Sequence, residues 1–555
     1  MSGGAPSSHA PLGAAYPPPF ASIGPTPQDA EVDVMIVGFG AAGSCAAIEA
    51  RSHGADVLAI DRFDGGGATA RSGGVVYFGG GTPQQEAAGY VDNPEEMYRY
   101  LALEVRQAVD DATLRRFCEE SRANLGWLEA RGLPIPPSPS LPAKTSYPTD
   151  DCTLYFSGNE AVQPYAAAAR PAPRGHRVPG SGLTGGALFA QLRRATLQSG
   201  VRVHYRTQAR RLLTDDTGRV CGVEVASLPA SLLATRWSGF LFHCATEGAM
   251  LNRRLGLAAQ RALVRFEARH ARRWTIRARR GVILCAGGFV FNPDMMRRYA
   301  PAFAASMPIG TVGDDGSGIE LGQSVGGDVR QMDRCSAWRF INPPEAFTCG
   351  ILVDANGRRI CNEELYGATL GELIAERANG RAFLVLDAAM VAQARTQIRG
   401  QEGARFQKLT TFVNLFLNRA TAATPAELAR RCGLSPESLV STIEAYNTLA
   451  RNGGEDPFGK ARALCRPLHE PPFSAINCDI ENTKFQTPCL TLGGLRVDGA
   501  SGQVLRDDGS PIPGLYAAGR NAVGVASHSY ISGLSIADCI FAGRTAGRHA
   551  AQATP

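Results

Sequence analysis

The feature that most constrains the fold is a glycine-rich turn, residues 38–43 (GFGAAG), which separates an apolar run from a run of small residues. The apolar run, residues 32–37, is typical of a buried strand, and residues 44–54 have the pattern of a helix. A second apolar run, residues 55–62 (ADVLAIDR), is typical of another strand. This strand–turn–helix–strand order predicts a parallel βαβ unit of a doubly wound α/β fold.

The three glycines of this turn have different tasks in a nucleotide site. Gly38 permits the tight turn, Gly40 lets the backbone approach a pyrophosphate, and Gly43 lets the helix pack on the strand. The N–H groups that begin the helix, at Ala41 and Ala42, face the phosphates together with the positive end of the helix dipole. The turn therefore predicts a dinucleotide site.

An acidic residue ends the second strand of this unit. Asp61 stands eighteen residues after Gly43, where a carboxylate accepts hydrogen bonds from a ribose 2′-hydroxyl. Glycine-rich backbone then recurs at residues 65–67, 72–74 and 79–82, where main chain can lie along an extended ligand. This recurrence favours FAD over NAD as the cofactor.

Both ends of the chain contribute to this domain. Apolar runs enter glycine turns at residues 279–289 (RRGVILCAGGF) and 514–520 (GLYAAGR), and residues 533–551 have the pattern of a closing helix. The predicted FAD contacts are Gly38, Gly40, Ala41, Ala42, Gly43, Asp61, Arg62, Ala68, Thr69, Ser72, Gly73, Gly74, Ala286, Gly287, Gly288, Gly519, Arg520, Leu534 and Ser535.

The chain has 555 residues, too many for one hydrophobic core. We expect a discontinuous Rossmann-like FAD-binding domain, residues 31–314 and 488–555, with an inserted α+β substrate (capping) domain at residues 315–487. Residues 1–30 are rich in Pro, Gly, Ser and Ala and lack the basic start and apolar core of a secretory signal. They predict a disordered tail.

Composition argues against several other classes of protein. The formal net charge of +6 is modest, and no basic stripe is interleaved with aromatic residues, so we expect no nucleic-acid partner. The 14 cysteines form no CxxC pair and no metal-ligand spacing with histidine, which indicates free thiols and no metal. No apolar stretch reaches the ~18 residues of a membrane span. We expect a cytoplasmic protein.

One segment, residues 236–280, differs from the rest in charge. It contains eleven arginines and no lysine, with leucine, phenylalanine and tryptophan between them. Two interpretations stay open: a solvated helical excursion, or a basic amphipathic surface that makes peripheral contact with an anionic membrane.

Several motifs together resemble the fumarate reductase and 3-ketosteroid dehydrogenase family of FAD flavoproteins. The matching stretches are residues 65–82 (GGGATARSGGVVYFGGGT), 183–189 (LTGGALF), 282–289 (VILCAGGF), 313–327 (GDDGSGIELGQSVGG), 350–364 (GILVDANGRRICNEE) and 491–498 (TLGGLRVD). The resemblance implies FAD as the cofactor. Respiratory members carry a histidine in the loop after the second strand, and residues 63–81 contain none, so we expect non-covalent FAD.

The positions at which dicarboxylate-reducing members carry cationic or titratable groups differ here. The histidine before the T-x-G-G motif is replaced by Cys489 and Leu490, and the arginine after the Asn-Glu pair by Tyr366. The substrate arginine before the last glycine pair is also absent from residues 528–533 (HSYISG). A fumarate or succinate site is therefore not expected, and an apolar site with hydroxyl groups suits a neutral ketone.

The sequence Tyr530-Ile531-Ser532-Gly533 resembles the 3-oxo-5α-steroid 4-dehydrogenases, as do residues 154–160 (LYFSGNE). The resemblance implies a C=C bond formed beside the ketone of a 3-ketosteroid. The hydroxyls of Tyr530 and Ser532 would polarise the ketone and relay a proton, while flavin N5 accepts hydride. Because a tyrosine has an ordinary pKa of ~10, such a relay needs a site that favours the ionised form.

The closing helix has a part in the same expectation. Its N-terminus, at Gly533 and Ser535, would face the pyrimidine edge of the flavin and stabilise the anionic reduced form. The predicted catalytic residues are therefore Tyr530, Ser532 and Gly533.

One departure leaves the reaction open. The steroid 4-dehydrogenases use a further tyrosine ahead of the GILV motif, whereas residues 335–354 contain none and offer Trp338, Phe340 or Asn342 instead. The Δ4 reaction on 5α-3-ketosteroids is the main expectation. The alternatives are a 3-ketosteroid Δ1-dehydrogenase, a fumarate reductase-like enoate reductase, and a flavin-binding subunit of an electron-transfer or membrane assembly. The electron acceptor is unidentified.

Overall fold

The structure is a computed structural model that describes residues 30–554 except 134, 140–147, 149, 230 and 401–404. Most of the predicted tail, residues 1–29, lies outside the described residues.

An eight-stranded sheet forms the centre of the molecule. Its strands are β1 (Ala30–Val37), β2 (Val57–Ile60), β6 (Arg202–His204), β7 (Thr207–Thr214), β8 (Val220–Ser227), β9 (Arg272–Leu284), β19 (Gln503–Leu505) and β20 (Pro511–Ala517). Strands β20, β9, β1, β2 and β6 lie parallel in that order, and β19 pairs antiparallel with β20. Strand β8 pairs antiparallel with the first half of β9, and β7 pairs antiparallel with the other side of β8. Since β1, β2 and β9 are almost entirely buried where they pair, this parallel part is a core sheet.

Helices made of small residues cover this sheet. They include α1 (Ala41–Ser52), α8 (Gly185–Gln198) and the closing helix α18 (Leu534–Gln552). A Cβ atom at Gly543 or Gly547 of α18 would stand 2.6 Å from the Ala42 carbonyl oxygen or 2.3 Å from that of Ala46. Glycine at both positions therefore lets α18 lie directly on the backbone of α1.

A three-stranded antiparallel sheet lies beside the N-terminus of α18. It consists of β3 (Val75–Tyr77), β5 (Gly175–Arg177) and β4 (Leu154–Tyr155). The Tyr77 N–H donates to the Gly533 carbonyl at 3.2 Å, and the Ser532 N–H donates to the Ser157 carbonyl at 3.2 Å. These bonds fix the loop that carries Tyr530 and Ser532. The helices on this side are α2 (Gly67–Arg71), α3 (Pro83–Ala87), α4 (Pro94–Val105), α5 (Asp111–Glu119), α6 (Ser121–Glu129) and α7 (Tyr165–Ala168).

The middle of the chain forms an α+β capping unit. Its antiparallel sheet has the order β13 (Ile351–Asp354), β14 (Ala382–Leu386), β16 (Phe473–Asn477) and β15 (Arg419–Ala422). Its helices are α13 (Gly367–Arg377), α14 (Ala388–Gly400), α15 (Arg405–Phe416), α16 (Pro425–Cys432) and α17 (Pro436–Asn452). This arrangement, with the parallel sheet, confirms the predicted fold class.

Short elements join the capping unit to the rest of the molecule. They are α11 (Pro293–Tyr299), β10 (Met307–Pro308), α12 (Ser317–Gln323), β11 (Val329–Arg330), β12 (Cys335–Ala337), β17 (Pro488–Thr491) and β18 (Gly494–Leu495). Strand β17 pairs with β10 and β12, and β18 pairs with β11. Helix α12 packs against β18, because glycine at position 322 makes room for the Leu495 side chain. The boundaries at residues 314 and 488 stay predictions.

The arginine-rich segment is only partly an excursion. Helices α9 (Leu232–Leu251) and α10 (Arg253–His270) pack closely together, and a Cβ atom at Gly256 would stand 2.5 Å from Ala249. The remaining residues, 272–280, belong to β9 and pair with β8 and β1. In the described part of the chain, no helix combines the length and apolar character needed to span a bilayer.

A buried ion pair supports the three-stranded sheet. Both oxygens of the Asp92 carboxylate accept from Arg174, at 2.7 and 2.9 Å, and both side chains are 0% exposed. Burial alone would raise the pKa of Asp92, but Arg174 and the neighbouring donors lower it overall. A Cβ atom at Gly79 would touch Arg174, so the pair packs against the chain that follows β3.

We predict that Asp92→Asn destabilises the protein strongly. The substitution leaves the Arg174 charge buried and uncompensated, which costs about 3–5 kcal/mol. The matched control is Asp111→Asn, because the exposed Asp111–Arg115 pair is worth about 0–1 kcal/mol. Thermal unfolding followed by circular dichroism compares the two variants. Equal losses of stability in both would contradict the assignment.

Candidate active site

A cavity of about 780 Å³ lies between the parallel sheet and the capping unit. Its walls contain the glycine turn after β1, the ends of β2 and β9, the N-terminus of α18, and side chains of the capping unit. Most of the predicted cofactor contacts line it: Gly38, Gly40, Ala41, Ala42, Asp61, Arg62, Ala68, Thr69, Ser72, Gly73, Ala286, Gly287, Gly519, Arg520 and Ser535.

Four of the predicted contacts lie behind the cavity wall. A Cβ atom would stand 2.0 Å from the Gly38 carbonyl oxygen at Gly43, 2.2 Å from the Thr184 hydroxyl at Gly74, and 2.3 Å from the Thr491 hydroxyl at Gly288. Leu534 is fully buried in the packing of α18. The three glycines let neighbouring segments approach each other closely, and Leu534 fills space in the packing of α18. All four therefore support the cavity wall from behind.

The glycine turn has the backbone geometry that its sequence predicts. Gly38 has a φ of 99°, and a Cβ atom there would stand 2.4 Å from the Cys285 carbonyl oxygen at the end of β9. Gly40 is the N-cap of α1 and has no side-chain cap. The Ala41 N–H donates to the Thr69 hydroxyl at 3.1 Å, and the first turn of α1 points its positive dipole end toward the cavity that Ala41 and Ala42 line, as anion binding requires.

Asp61 and Arg62 both line the cavity, but their side chains differ in how well they can contact a ligand. The Asp61 carboxylate accepts from the backbone N–H groups of Phe39 at 3.0 Å and Phe63 at 2.8 Å. Burial raises the pKa of Asp61. The Arg62 guanidinium pairs with Glu267 of α10 at 2.7 Å and with Asp315 at 2.6 Å, so carboxylates already neutralise its charge. Asp61 is thus the better candidate for a ribose contact.

The Arg520–Asp314 pair forms the opposite side of the cofactor end. Asp314 also accepts from the N–H groups of Gly288 at 3.2 Å and Thr311 at 3.0 Å. The second terminal nitrogen of Arg520, Nη1, is buried and has no partner among the described atoms. Such a donor is costly unless a ligand satisfies it. At Gly287 a Cβ atom would stand 2.5 Å from Asp314, so only glycine leaves this stretch of the wall open.

The predicted catalytic residues Tyr530, Ser532 and Gly533 all line the other end of the cavity. The Tyr155 hydroxyl of β4 donates to Ser532 Oγ at 2.9 Å. Residues 154–160 are part of the resemblance to the steroid 4-dehydrogenases, but that resemblance predicted no role for Tyr155. It is a second tyrosine beside residues 528–533, the predicted reactive loop.

An aromatic wall continues from Tyr530 into the cavity. The Tyr530 ring meets Trp338 edge-on at 5.2 Å, Trp338 stacks with Phe340 at 6.3 Å, and Phe340 meets Tyr366 at 6.3 Å. All four side chains line the cavity, and Asn342 does not. Two aromatic rings thus separate Tyr366 from Tyr530, which makes Tyr366 part of the wall. This surface suits a large, flat, apolar ligand.

The expectation of a site that favours ionised tyrosine is wrong for Tyr530. Burial raises its pKa to about 12, although Arg520 and the Gly533 N–H act in the opposite direction. The hydroxyl is therefore protonated at neutral pH. Removal of the phenolate from water outweighs the nearby positive charge and the helix N-terminus.

The three positions that distinguish dicarboxylate-reducing relatives are uncharged here. Leu490 and Tyr366 line the cavity, and Cys489 is fully buried next to Cys335. His528 is also buried, and its pKa is lowered to about 4 by burial, so it is neutral. The end of the cavity at Tyr530 and Ser532, the predicted reactive end, therefore offers hydroxyl groups and aromatic rings to a ligand.

Comparisons with known proteins agree with this geometry. Residues 33–536 match the model of the family described as FAD binding domain. The 3-oxo-5-alpha-steroid 4-dehydrogenase of Comamonas testosteroni is 38% identical over 88% of this chain and 92% of its own. The 3-oxosteroid 1-dehydrogenase of Mycobacterium tuberculosis is 27% identical over 90% of this chain and 94% of its own.

A solved structure matches almost the whole chain. It is the 3-ketosteroid-delta4-(5alpha)-dehydrogenase from Rhodococcus jostii RHA1 in complex with 4-androstene-3,17-dione. Its TM-score is 0.80 at 32% identity, with 96% of this chain and 100% of that chain covered. These matches confirm the resemblance that the motifs predicted and FAD as the cofactor.

We predict that FAD is held without a covalent bond and that Arg520 contributes to its affinity. Acid precipitation should release all of the flavin into the supernatant, and a yellow pellet would contradict this.

Arg520→Met should weaken FAD binding about 10- to 100-fold, the equivalent of one or two hydrogen bonds to a charged group. Titration of apoprotein with FAD measures the effect. Arg548→Met, which removes a half-exposed arginine of α18 paired with Glu49, is the control and should retain affinity.

Proposed function

Because the chain belongs to the FAD binding domain family of flavoproteins, we propose that it is an FAD-dependent dehydrogenase of 3-ketosteroids. The reaction is formation of a C=C bond beside the ketone, at Δ4 of 5α-3-ketosteroids. The main support is a pair of hydroxyls, Tyr530 and Ser532, which lie beside an aromatic wall in the same cavity that the predicted cofactor contacts line.

The substrate class follows from what the reactive end can stabilise. Trp338 and Phe340 offer flat apolar surface to a fused ring system, and the hydroxyls offer hydrogen bonds to a single ketone oxygen. A dicarboxylate would need cationic partners at positions that here hold Leu490 and Tyr366. The steroid substrates named for the two relatives and for the solved structure support the same class.

Ser532 is the proposed donor to the ketone oxygen. Its Oγ accepts the Tyr155 proton at 2.9 Å, so its own O–H is left to donate. A hydroxyl that accepts one hydrogen bond becomes a better donor in the next, which strengthens polarisation of the carbonyl. Tyr155, which lies on β4, thereby supplies the second tyrosine hydroxyl of the site. It acts on the ketone indirectly, through its hydrogen bond to Ser532.

Tyr530 is the proposed acceptor of the proton from C4. Of these hydroxyls it is the one next to Arg520 and to the Gly533 N–H, which act to lower its pKa. Its phenolate takes the C4 proton as the C4=C5 bond forms. FAD, when bound, would supply the acceptor for the hydride that leaves C5.

The first test is anaerobic addition of saturated and unsaturated 3-ketosteroids to the holoenzyme. We expect a 5α-3-ketosteroid to bleach the flavin spectrum and to yield the Δ4 product. Bleaching by a Δ4-3-ketosteroid alone would identify a Δ1-dehydrogenase. Reoxidation of dithionite-reduced enzyme by fumarate-like acids would instead support an enoate reductase.

We predict that Tyr530→Phe slows flavin reduction by about 10²- to 10⁴-fold, the usual contribution of a general base. FAD content and steroid binding should persist, because the ring remains. Tyr516→Phe is the control: it removes a buried hydroxyl that bonds His549, remote from the reactive end, and should keep the rate.

The pH dependence follows from the raised pKa of Tyr530. Because the base is the deprotonated form, the rate should rise about tenfold per pH unit from neutral toward the pKa of about 12, until another step limits. Stopped-flow measurement of flavin reduction tests this. A pH-independent rate in the native enzyme would assign the proton transfer to another group.

We propose in addition a peripheral contact between the helical part of segment 236–280 and a membrane. The support is the exposure of Trp237 and Phe240 on α9 beside exposed arginines of α10. The electron acceptor stays unidentified.

A further inference from the structure

Two helices border the entrance of the cavity from different parts of the chain. Helix α9 contributes Phe242 and Met250 to the lining, and α15 of the capping unit contributes Leu409 and Val413. Leu409 lines the cavity and is also 64% exposed, so it lies at the mouth. Leu251, which follows Met250, is exposed as well.

Both helices turn an apolar face to solvent. On α9, Leu233, Trp237 and Phe240 recur at helical spacing, and the Trp237 and Phe240 rings stack at 5.6 Å. All three side chains are more than half exposed.

The face of α15 has the same character. Leu409, Phe412 and Phe416 recur at helical spacing, and the Phe412 and Phe416 rings lie 4.8 Å apart. We call these six residues of α9 and α15 the portal collar. Clusters of exposed apolar side chains of this kind mark an interaction site.

The charge around the portal collar is positive. Residues 232–270 contain six arginines and two glutamates. Both glutamates are occupied: Glu247 pairs with Arg71 at 2.7 Å, and Glu267 pairs with Arg62 at 2.7 Å. The net positive charge of the helical pair is therefore not balanced within the pair.

Exposed cations occur on both of these parts of the chain. On α9 and α10 they are Arg236, Arg254, Arg261, Arg265 and Arg269, which have no carboxylate partner among the described residues. On the α15 side, Lys408 and Lys484 are exposed, and Lys484 also lines the cavity. Exposed aromatic and aliphatic side chains next to arginine are complementary to an anionic lipid surface.

We infer that the portal collar docks on an anionic lipid bilayer, so that the cavity opens toward the membrane and receives its apolar substrate from the lipid. The docking follows from the exposed apolar faces and the unbalanced positive charge. The delivery of substrate rests on the proposed function, because it requires a ligand that partitions into lipid.

The docking test is flotation of the holoenzyme, without substrate, with vesicles of phosphatidylcholine alone or mixed with phosphatidylglycerol. We expect binding to the mixed vesicles that weakens as salt rises. The variant Trp237→Ser/Phe240→Ser/Phe412→Ser should lower the partition coefficient at least tenfold. Arg261→Glu/Arg265→Glu should also lower it. Leu103→Ser/Leu197→Ser, which alters exposed leucines outside the collar, is the matched control and should bind normally.

Two results would overturn the docking. One is equal binding of the native enzyme to both kinds of vesicle, or to neither. The other is a native dimer that the collar variant converts to monomer, because a second copy would then cover these faces.

Delivery is tested by turnover of a 5α-3-ketosteroid offered either in mixed vesicles or on cyclodextrin. The collar variant should be at least tenfold slower than the native enzyme with the vesicle substrate and equal to it with the cyclodextrin substrate. Equal rates from vesicles would overturn delivery. Vesicle binding without turnover of any 3-ketosteroid would overturn the proposed function and leave the docking intact.

Discussion

The close packing of α18 on α1 is the constraint on which the rest of the site depends. Gly543 and Gly547 bring the closing helix onto the backbone of the helix that begins at the nucleotide turn. The other end of α18 begins at Gly533, whose carbonyl accepts the Tyr77 N–H of the three-stranded sheet. One helix therefore fixes the distance between the phosphate end of the cavity and the reactive loop. A side chain larger than hydrogen at either glycine would push these two parts of the site apart.

Burial has two opposite effects at the reactive end. It excludes water from the aromatic wall and so favours an apolar substrate, but it also raises the pKa of Tyr530. Arg520 and the N–H of Gly533, the N-cap residue of α18, offset part of that increase. Arg520 is held by Asp314 and still has one buried nitrogen without a partner among the described atoms. The same arginine thus links the cofactor end of the cavity to the tyrosine that the proposed chemistry needs.

Local sequence predicted the parts of the site that local geometry determines. The turn at residues 38–43, the acidic residue at Asp61 and the loop at residues 528–533 could be recognised because each depends on neighbours in the chain. The partners of these groups could not. Tyr155 reaches Ser532 across 377 residues, and Asp314 reaches Arg520 across 206. The expectation of an ionised Tyr530 was wrong for the same reason, since the burial of its hydroxyl beside Trp338 is a tertiary effect. Trp338 and Phe340 were named as candidates, and both line the cavity.

In the proposed reaction, a proton leaves C4 and a hydride leaves C5 of a saturated 3-ketosteroid in this cavity. The most direct measurement is the rate of anaerobic flavin reduction in a single turnover with substrate deuterated at C5, compared with the undeuterated steroid. Because the C5 hydride is transferred in this step, we expect a primary isotope effect and a Δ4 product that has lost the label from C5. Reduction at an unchanged rate, with deuterium retained at C5, would contradict it.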